Sequence, residues 1–109
     1  MIMANRYRGE VSAVLDGHRW TLCLTLGALA ELEAAFQVGD MSALVDRFAN
    51  GTLSARDAVT IIGAGLRGAG NAIDDDQVAR MTAEGGAAGF ASVVTDLLTV
   101  TFGSTEAAE

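Results

Sequence analysis

The sequence predicts an α+β fold in which an N-terminal β-hairpin is followed by a compact bundle of about four to five short helices. Residues 9–24 alternate polar and apolar side chains around Asp16-Gly17, which is typical of a half-buried hairpin. The later residues place apolar side chains at helical spacing in segments separated by glycines, and the chain contains no proline. With 109 residues, the chain is long enough for one domain with a modest core.

The dipeptide Asp16-Gly17 predicts a two-residue type I′ turn, because both residues tolerate positive φ. We expect Gly17 to serve this turn and Trp20 to anchor the hairpin in the core, with an interface role for Trp20 as the alternative. The turn sets a register that pairs Leu15 with His18, Ala13 with Trp20 and Val11 with Leu22. One surface of the hairpin then collects Val11, Ala13, Leu15, Trp20 and Leu22.

Two helices are predicted directly after the hairpin. Thr25 can cap the first, and Gly39 is available to end it. Asp40 can cap the second, which Asn50-Gly51 would terminate. Their apolar stripes consist of Leu26, Leu29, Leu32 and Phe36 in the first helix and Met41, Leu44, Val45 and Phe48 in the second.

Three further helices are predicted in the second half of the chain. The pair Ser54 and Asp57 starts the third, and the Asp-x-x-Gln pattern from Asp74 to Gln77 is a capping box for a short fourth. Gly85 and Gly86 would close the fourth helix, and a fifth begins near Gly89. The fifth carries the clearest amphipathic stripe, which contains Phe90, Val93, Val94, Leu97, Leu98 and Thr101.

The charge and composition disfavour several classes of partner. Seven arginines, no lysine and fourteen acidic residues give a net charge of −7, which repels nucleic acids and anionic membranes. No apolar run approaches the roughly 20 residues that span a bilayer. The first ten residues, MIMANRYRGE, lack the apolar segment of a secretory signal, and one cysteine cannot form an internal disulfide, so we expect a cytoplasmic location. We predict an N-terminal extension (1–8), a single domain (9–103) and a flexible acidic tail (104–109).

Gly63, Gly65 and Gly68 have the Gly-x-Gly-x-x-Gly spacing of a dinucleotide-binding loop. That function requires a strand before the motif, a helix after it, and an acidic residue about 20 positions on at the end of a second strand. The helix start at Ser54 instead places all three glycines inside a helix. We therefore expect them to allow close packing of a neighbouring backbone, and nucleotide binding is a remote alternative.

Other reactive side chains do not combine into a catalytic or metal site. His18 has no second histidine beside it, and Cys23 lacks an activating base nearby. The run Asp74 to Asp76 lacks the ligand spacing of a calcium loop and is better explained by helix capping. The sequence thus predicts no enzymatic activity, no cofactor and no metal.

Two longer segments carry a family resemblance. The LGALAELEAAF helix spans 26–36, and the segment IIGAGLRGAGNAIDDDQVARM spans 61–81. With the hairpin and the Leu44 to Phe48 helix, they resemble the small tail-assembly proteins of gene transfer agents and related long-tailed phages. That family is described both as tail assembly chaperones and as tail tube proteins. The resemblance covers about residues 7–101.

The resemblance implies a non-enzymatic role in tail morphogenesis. A chaperone of this kind would bind the tape-measure protein and tail tube subunits in the host cytoplasm, and self-association is a further alternative. An apolar groove could accept an amphipathic partner helix, although each of its side chains could instead belong to the core. Arg67 could cap helix carbonyls or pair with the Asp74 to Asp76 turn. The candidate partner-binding residues are Leu29, Leu32, Phe36, Leu44, Phe48, Leu66 and Arg67.

The alternative function is a structural component of the virion, either a tube or a terminator subunit. The edge of the hairpin sheet, which could pair with another strand, is consistent with it. Tube subunits usually carry a larger β-sandwich-like sheet, however, and this sequence predicts only one hairpin. On the sequence alone, we therefore place the chaperone role first.

Overall fold

A computed structural model describes residues 5–50 and 53–103 of the protein. It confirms the predicted α+β fold, with a two-stranded antiparallel sheet followed by five helices. The predicted tail (104–109) lies outside the described residues, and a 3-10 turn over Arg6–Arg8 precedes the hairpin. The elements are β1 (Glu10–Leu15), β2 (His18–Cys23), α1 (Leu26–Phe36), α2 (Met41–Asn50), α3 (Ala55–Gly68), α4 (Asp75–Ala79) and α5 (Gly86–Phe102).

The hairpin has the predicted turn and register. Asp16 and Gly17 have φ angles of 54° and 76°, as a type I′ turn requires. Leu15 pairs with His18, and the next two predicted pairs follow along the strands. Trp20 is half-buried, and its Nε1 donates a hydrogen bond of 3.2 Å to the Leu15 carbonyl oxygen. The hairpin contributes four buried side chains to the core: Val11, Ala13, Leu15 and Leu22.

A contact from the second half of the chain fastens the hairpin turn. The backbone N–H of Asp16 donates to the Thr82 carbonyl oxygen at 2.8 Å, and the Thr82 N–H donates to Asp16 Oδ1 at 2.8 Å. Leu15 and Ala83 form an isolated antiparallel bridge beside these bonds. The residues before α5 thus cover the end of β1 near the turn.

Helix α3 is the centre of the fold and packs against β2, α1, α4 and α5. It begins at a capping box, in which the Ser54 side chain accepts from the Asp57 N–H and the Asp57 side chain accepts from the Ser54 N–H. Both bonds measure 3.1 Å. Its middle contributes Ile61, Ile62 and Leu66 to the core, each at most 1% exposed.

Three predicted helix ends were wrong. Helix α1 ends at Phe36 rather than at Gly39, because Gln37 adopts a left-handed conformation (φ 57°) and its N–H bonds back to the helix. Gly85 and Gly86 do not close α4: α4 ends at Ala79, and Gly85 is the N-cap of α5. Helix α5 consequently begins three residues before the predicted Gly89.

Candidate partner-binding surfaces

The three glycines with the spacing of a dinucleotide motif lie inside α3. The segment before them, Val59 to Ile62, is helical and belongs to no strand. The strand–turn–helix geometry that would present backbone N–H groups to a phosphate is therefore not formed. This arrangement contradicts the remote alternative of nucleotide binding.

Gly65 and Gly68 allow α3 to pack closely on the hairpin. A methyl group added at Gly65 would lie 2.8 Å from Leu97 Cδ2 and 3.3 Å from Leu22 Cβ. One added at Gly68 would collide with the Cys23 carbonyl oxygen, which is a backbone atom of β2. These distances support the close-packing explanation at these two positions, which stays a prediction for substitution to test. At Gly63 the nearest atom belongs to the Asp75 side chain, which can move.

Arg67 links three parts of the fold. Its Nη1 donates to the Ile73 carbonyl oxygen and to Asp75 Oδ1, each at 3.0 Å, and its Nη2 pairs with Glu31 of α1. The hydrogen bond that Arg67 donates to Glu31 is the main cause that raises the pKa of Arg67 above its ordinary value, and the bond to Asp75 adds to it. The predicted pairing with the acidic turn is present. The Glu31 contact, which joins α1 to α3, was not predicted.

Most of the predicted partner-binding side chains lie in the core. The two phenylalanines, Phe36 and Phe48, are half-buried and pack edge to face, with ring centroids 5.3 Å apart. Arg47 lies 5.2 Å from the Phe36 ring centroid and pairs with Asp57 at 3.3 Å. The four predicted leucines are at most 8% exposed and so offer little surface to a partner: Leu29, Leu32, Leu44 and Leu66.

A neighbouring surface on α2 does expose apolar side chains. Met41 is 45% exposed and Val45 is 38% exposed, although the pattern predicted both in the stripe of α2 that contains Leu44. Ala49, also exposed, follows at the same spacing of four residues. We call Met41, Val45 and Ala49 the α2 ridge.

An apolar groove of about 400 Å³ runs between α3, α4 and α5. Its lining contains no charged side chain, and its two hydroxyl groups belong to Ser54 and Thr95. The sequence analysis missed this groove; the available signal was the set of alanines on the facing sides of the three helices. We call it the α3–α5 groove, and its lining includes Leu53, Ala58, Val59, Met81, Phe90 and Ala91.

The isolated reactive side chains do not approach one another. His18 and Cys23 occupy opposite ends of β2, about 16 Å apart at the usual rise of a strand. Burial, with the Glu10 charge, raises the pKa of the Cys23 thiol, which disfavours the reactive thiolate. Asp74 caps α4 and Asp75 binds Arg67. Within the described residues, no cluster of three or more potential metal ligands occurs.

The comparisons with known proteins identify the family. A family model described as phage tail tube protein, GTA-gp10, matches residues 8–104. No curated protein and no solved structure matches the chain. Tail tube proteins are structural, which agrees with the expectation of a non-enzyme. None of the described helices is long and apolar enough to cross a membrane. The match confirms the resemblance seen in the sequence, and the chain belongs to the tail tube protein family of phages and gene transfer agents.

Proposed function

We propose that the protein is a structural, non-enzymatic subunit of a phage-like tail that remains in the finished particle. The observation that carries this proposal is the family match, which extends over every strand and helix of the fold from residue 8 to residue 104. It favours the structural role, which the sequence analysis placed second. The partners are other tail proteins, and the location is the assembled particle.

The distribution of side chains supports a role based on protein contacts. The α2 ridge and the α3–α5 groove both present apolar surface, whereas the reactive groups His18 and Cys23 lie far apart. Apolar patches on a small folded domain are typical of protein interaction sites. The net charge of −7 disfavours nucleic acid as the ligand of these surfaces.

A tail assembly chaperone is the second candidate function. It is favoured by the sheet, which has only two strands in the described residues and so lacks the sandwich that tube subunits usually carry. In this role, the protein would bind the tape-measure protein in the host cytoplasm and leave before the particle is complete. The α2 ridge, with the half-buried Phe36 and Phe48 beside it, would be the contact surface.

Quantitative mass spectrometry of purified particles separates the two candidates. A structural subunit should be present in a fixed ratio to the other tail proteins. Abundant host proteins are the control for contamination, and their amounts should fall as the particles are purified. Absence of this chain from intact particles would refute the structural role. Co-expression with tape-measure fragments then tests the chaperone role, which requires that the fragments become more soluble with the wild-type chain than without it.

A further inference from the structure

Helix α2 is held on the fold by contacts with two side chains that belong to other helices. It packs chiefly against α1, where Phe48 meets Phe36 edge to face with ring centroids 5.3 Å apart. Arg47 of α2 reaches both neighbouring helices. Its guanidinium carbon lies 5.2 Å from the Phe36 ring centroid, and its Nη2 donates to Asp57 Oδ2 of α3 at 3.3 Å. Phe36 and Asp57 thus form a docking site for a helix, which we call the α2 site.

The connection that leads from α1 into α2 carries backbone strain. Gln37 has a φ of 57°, in the left-handed region that a residue with a Cβ atom adopts only at a cost in free energy. The Gln37 N–H donates to the Ala34 carbonyl oxygen at 3.3 Å, and the Val38 N–H donates to the Glu33 carbonyl oxygen at 3.0 Å. A chain whose α2 has left its site can relax this connection. Strain therefore offsets part of the free energy that holds α2 on its own fold.

Helix α2 contains its own start signal but is too short to be stable alone. Asp40 Oδ1 accepts a hydrogen bond of 2.8 Å from the Ala43 N–H, which caps the helix from within the same segment. With 10 residues, however, α2 is shorter than a helix that persists in water without packing. The helix therefore needs a docking site, and the α2 site of another copy offers it the same side chains as its own.

We propose that the α2 site is an interaction surface that the α2 helix of a second copy of this chain occupies in place of the resident helix. Phe48 and Arg47 of one copy then contact Phe36 and Asp57 of the other, so the contacts between copies are those that the single chain makes within itself. Exchange of an identical element is a low-cost route to association. The resident α2 is an autoinhibitory cover of the site. The inference adds a contact between copies to the proposed function and does not depend on it.

A peptide of residues 40–50 with blocked ends and a dye label tests the site, with fluorescence anisotropy to measure its binding to the full chain. The peptide competes with the resident helix, so a change that weakens the resident helix should strengthen peptide binding. Arg47→Met in the chain should lower the Kd roughly three- to tenfold, whereas Arg47→Met in the peptide should raise it by a similar factor. The control is Met41→Gln, an exposed position on α2, which should change the Kd less than about twofold in chain or peptide.

Opposite effects of one substitution in chain and peptide are specific to a site that the resident helix covers. Effects of Arg47→Met in the same direction in both, or no binding of the peptide to the Arg47→Met chain up to about 1 mM, would overturn the proposal.

Sedimentation analysis of full chains tests the exchange between copies. Phe36→Ala damages the site and leaves α2 intact, whereas Phe48→Ala weakens α2 and leaves the site intact; circular dichroism checks that each variant folds. Their mixture should form a one-to-one complex between about 1 µM and 1 mM, roughly tenfold tighter than the association of either variant alone. The control mixes Phe36→Ala with the wild type, whose resident helix covers the site, and should associate less.

A mixture of the two phenylalanine variants that stays monomeric would refute the exchange. If either variant fails to fold, the peptide measurement with Arg47→Met decides. Failure of the proposed function is distinguishable, because a chain that exchanges α2 but is missing from particles keeps this contact and loses the structural role.

Discussion

Replacing Gly68 with alanine should destabilise the protein, because β2 leaves no room for a side chain there. The added methyl group would collide with the Cys23 carbonyl oxygen, which cannot rotate away as a side chain end would. To restore a contact of 3.0 Å, α3 would have to move away from β2 by about 1 Å, which loosens the packing of a close-packed core. Overpacking of this kind costs typically 1–3 kcal/mol, and alanine recovers at most about 1 kcal/mol in helix propensity. We therefore expect a net loss of about 2 kcal/mol.

Thermal and urea unfolding, followed by circular dichroism, measure this loss. For a domain of this size, 2 kcal/mol corresponds to a decrease in Tm of roughly 8–16 °C. The matched control is Gly27→Ala in α1, where the nearest atom to an added Cβ is Thr25 Oγ1 at 3.9 Å. This control should be neutral or stabilising by up to about 1 kcal/mol. If Gly68→Ala melts at the wild-type temperature, the close contact between α3 and β2 does not exist in solution.

Three further changes test other contacts of the fold. Arg67→Met should cost about 1–2 kcal/mol, because it removes two ion pairs and a hydrogen bond. The loss should shrink in 1 M salt. The control is Arg56→Met, whose arginine forms no ion pair with a described residue, and it should stay within about 0.5 kcal/mol of the wild type. Equal losses in both variants would contradict the linking role. Ser54→Ala should lower the free energy of unfolding by about 1 kcal/mol, because the capping box is lost. Urea unfolding measures this loss beside the control Ser92→Ala in α5, and equal stabilities of the two variants would contradict the role of the cap. Cys23 should react with a thiol reagent at pH 8 more slowly in the folded protein than in urea, because burial raises its pKa and only the thiolate attacks; equal rates would refute this.

The sequence was sufficient for features that short-range patterns determine. The hairpin register follows from the alternation of side chains and the Asp16-Gly17 turn, and the helical state of the glycine motif follows from the cap at Ser54. The wrong helix ends have a local cause as well. Glycine is compatible with both ends of a helix, so Gly85-Gly86 could close α4 or open α5, and Gln37 reached the left-handed conformation without being glycine.

The partner-binding surfaces were harder to predict, because an apolar stripe does not say what covers it. Leu44 and Val45 belong to one predicted stripe, yet Leu44 is fully buried and Val45 is 38% exposed. The α3–α5 groove combines residues from three helices, and the pair formed by Glu31 and Arg67 is 36 residues apart in the chain. Such features depend on how the helices are arranged in space, which local spacing does not determine.

The attachment of α2 has a consequence for motion. This helix packs chiefly against α1, while the Arg47 to Asp57 ion pair ties its far end to α3. Within the described residues α2 has fewer packing contacts than α3, so its amides should exchange with solvent deuterium ahead of those in α3. Each such detachment would expose the face of Phe36 that Phe48 of α2 covers, and would present apolar surface that the folded state buries.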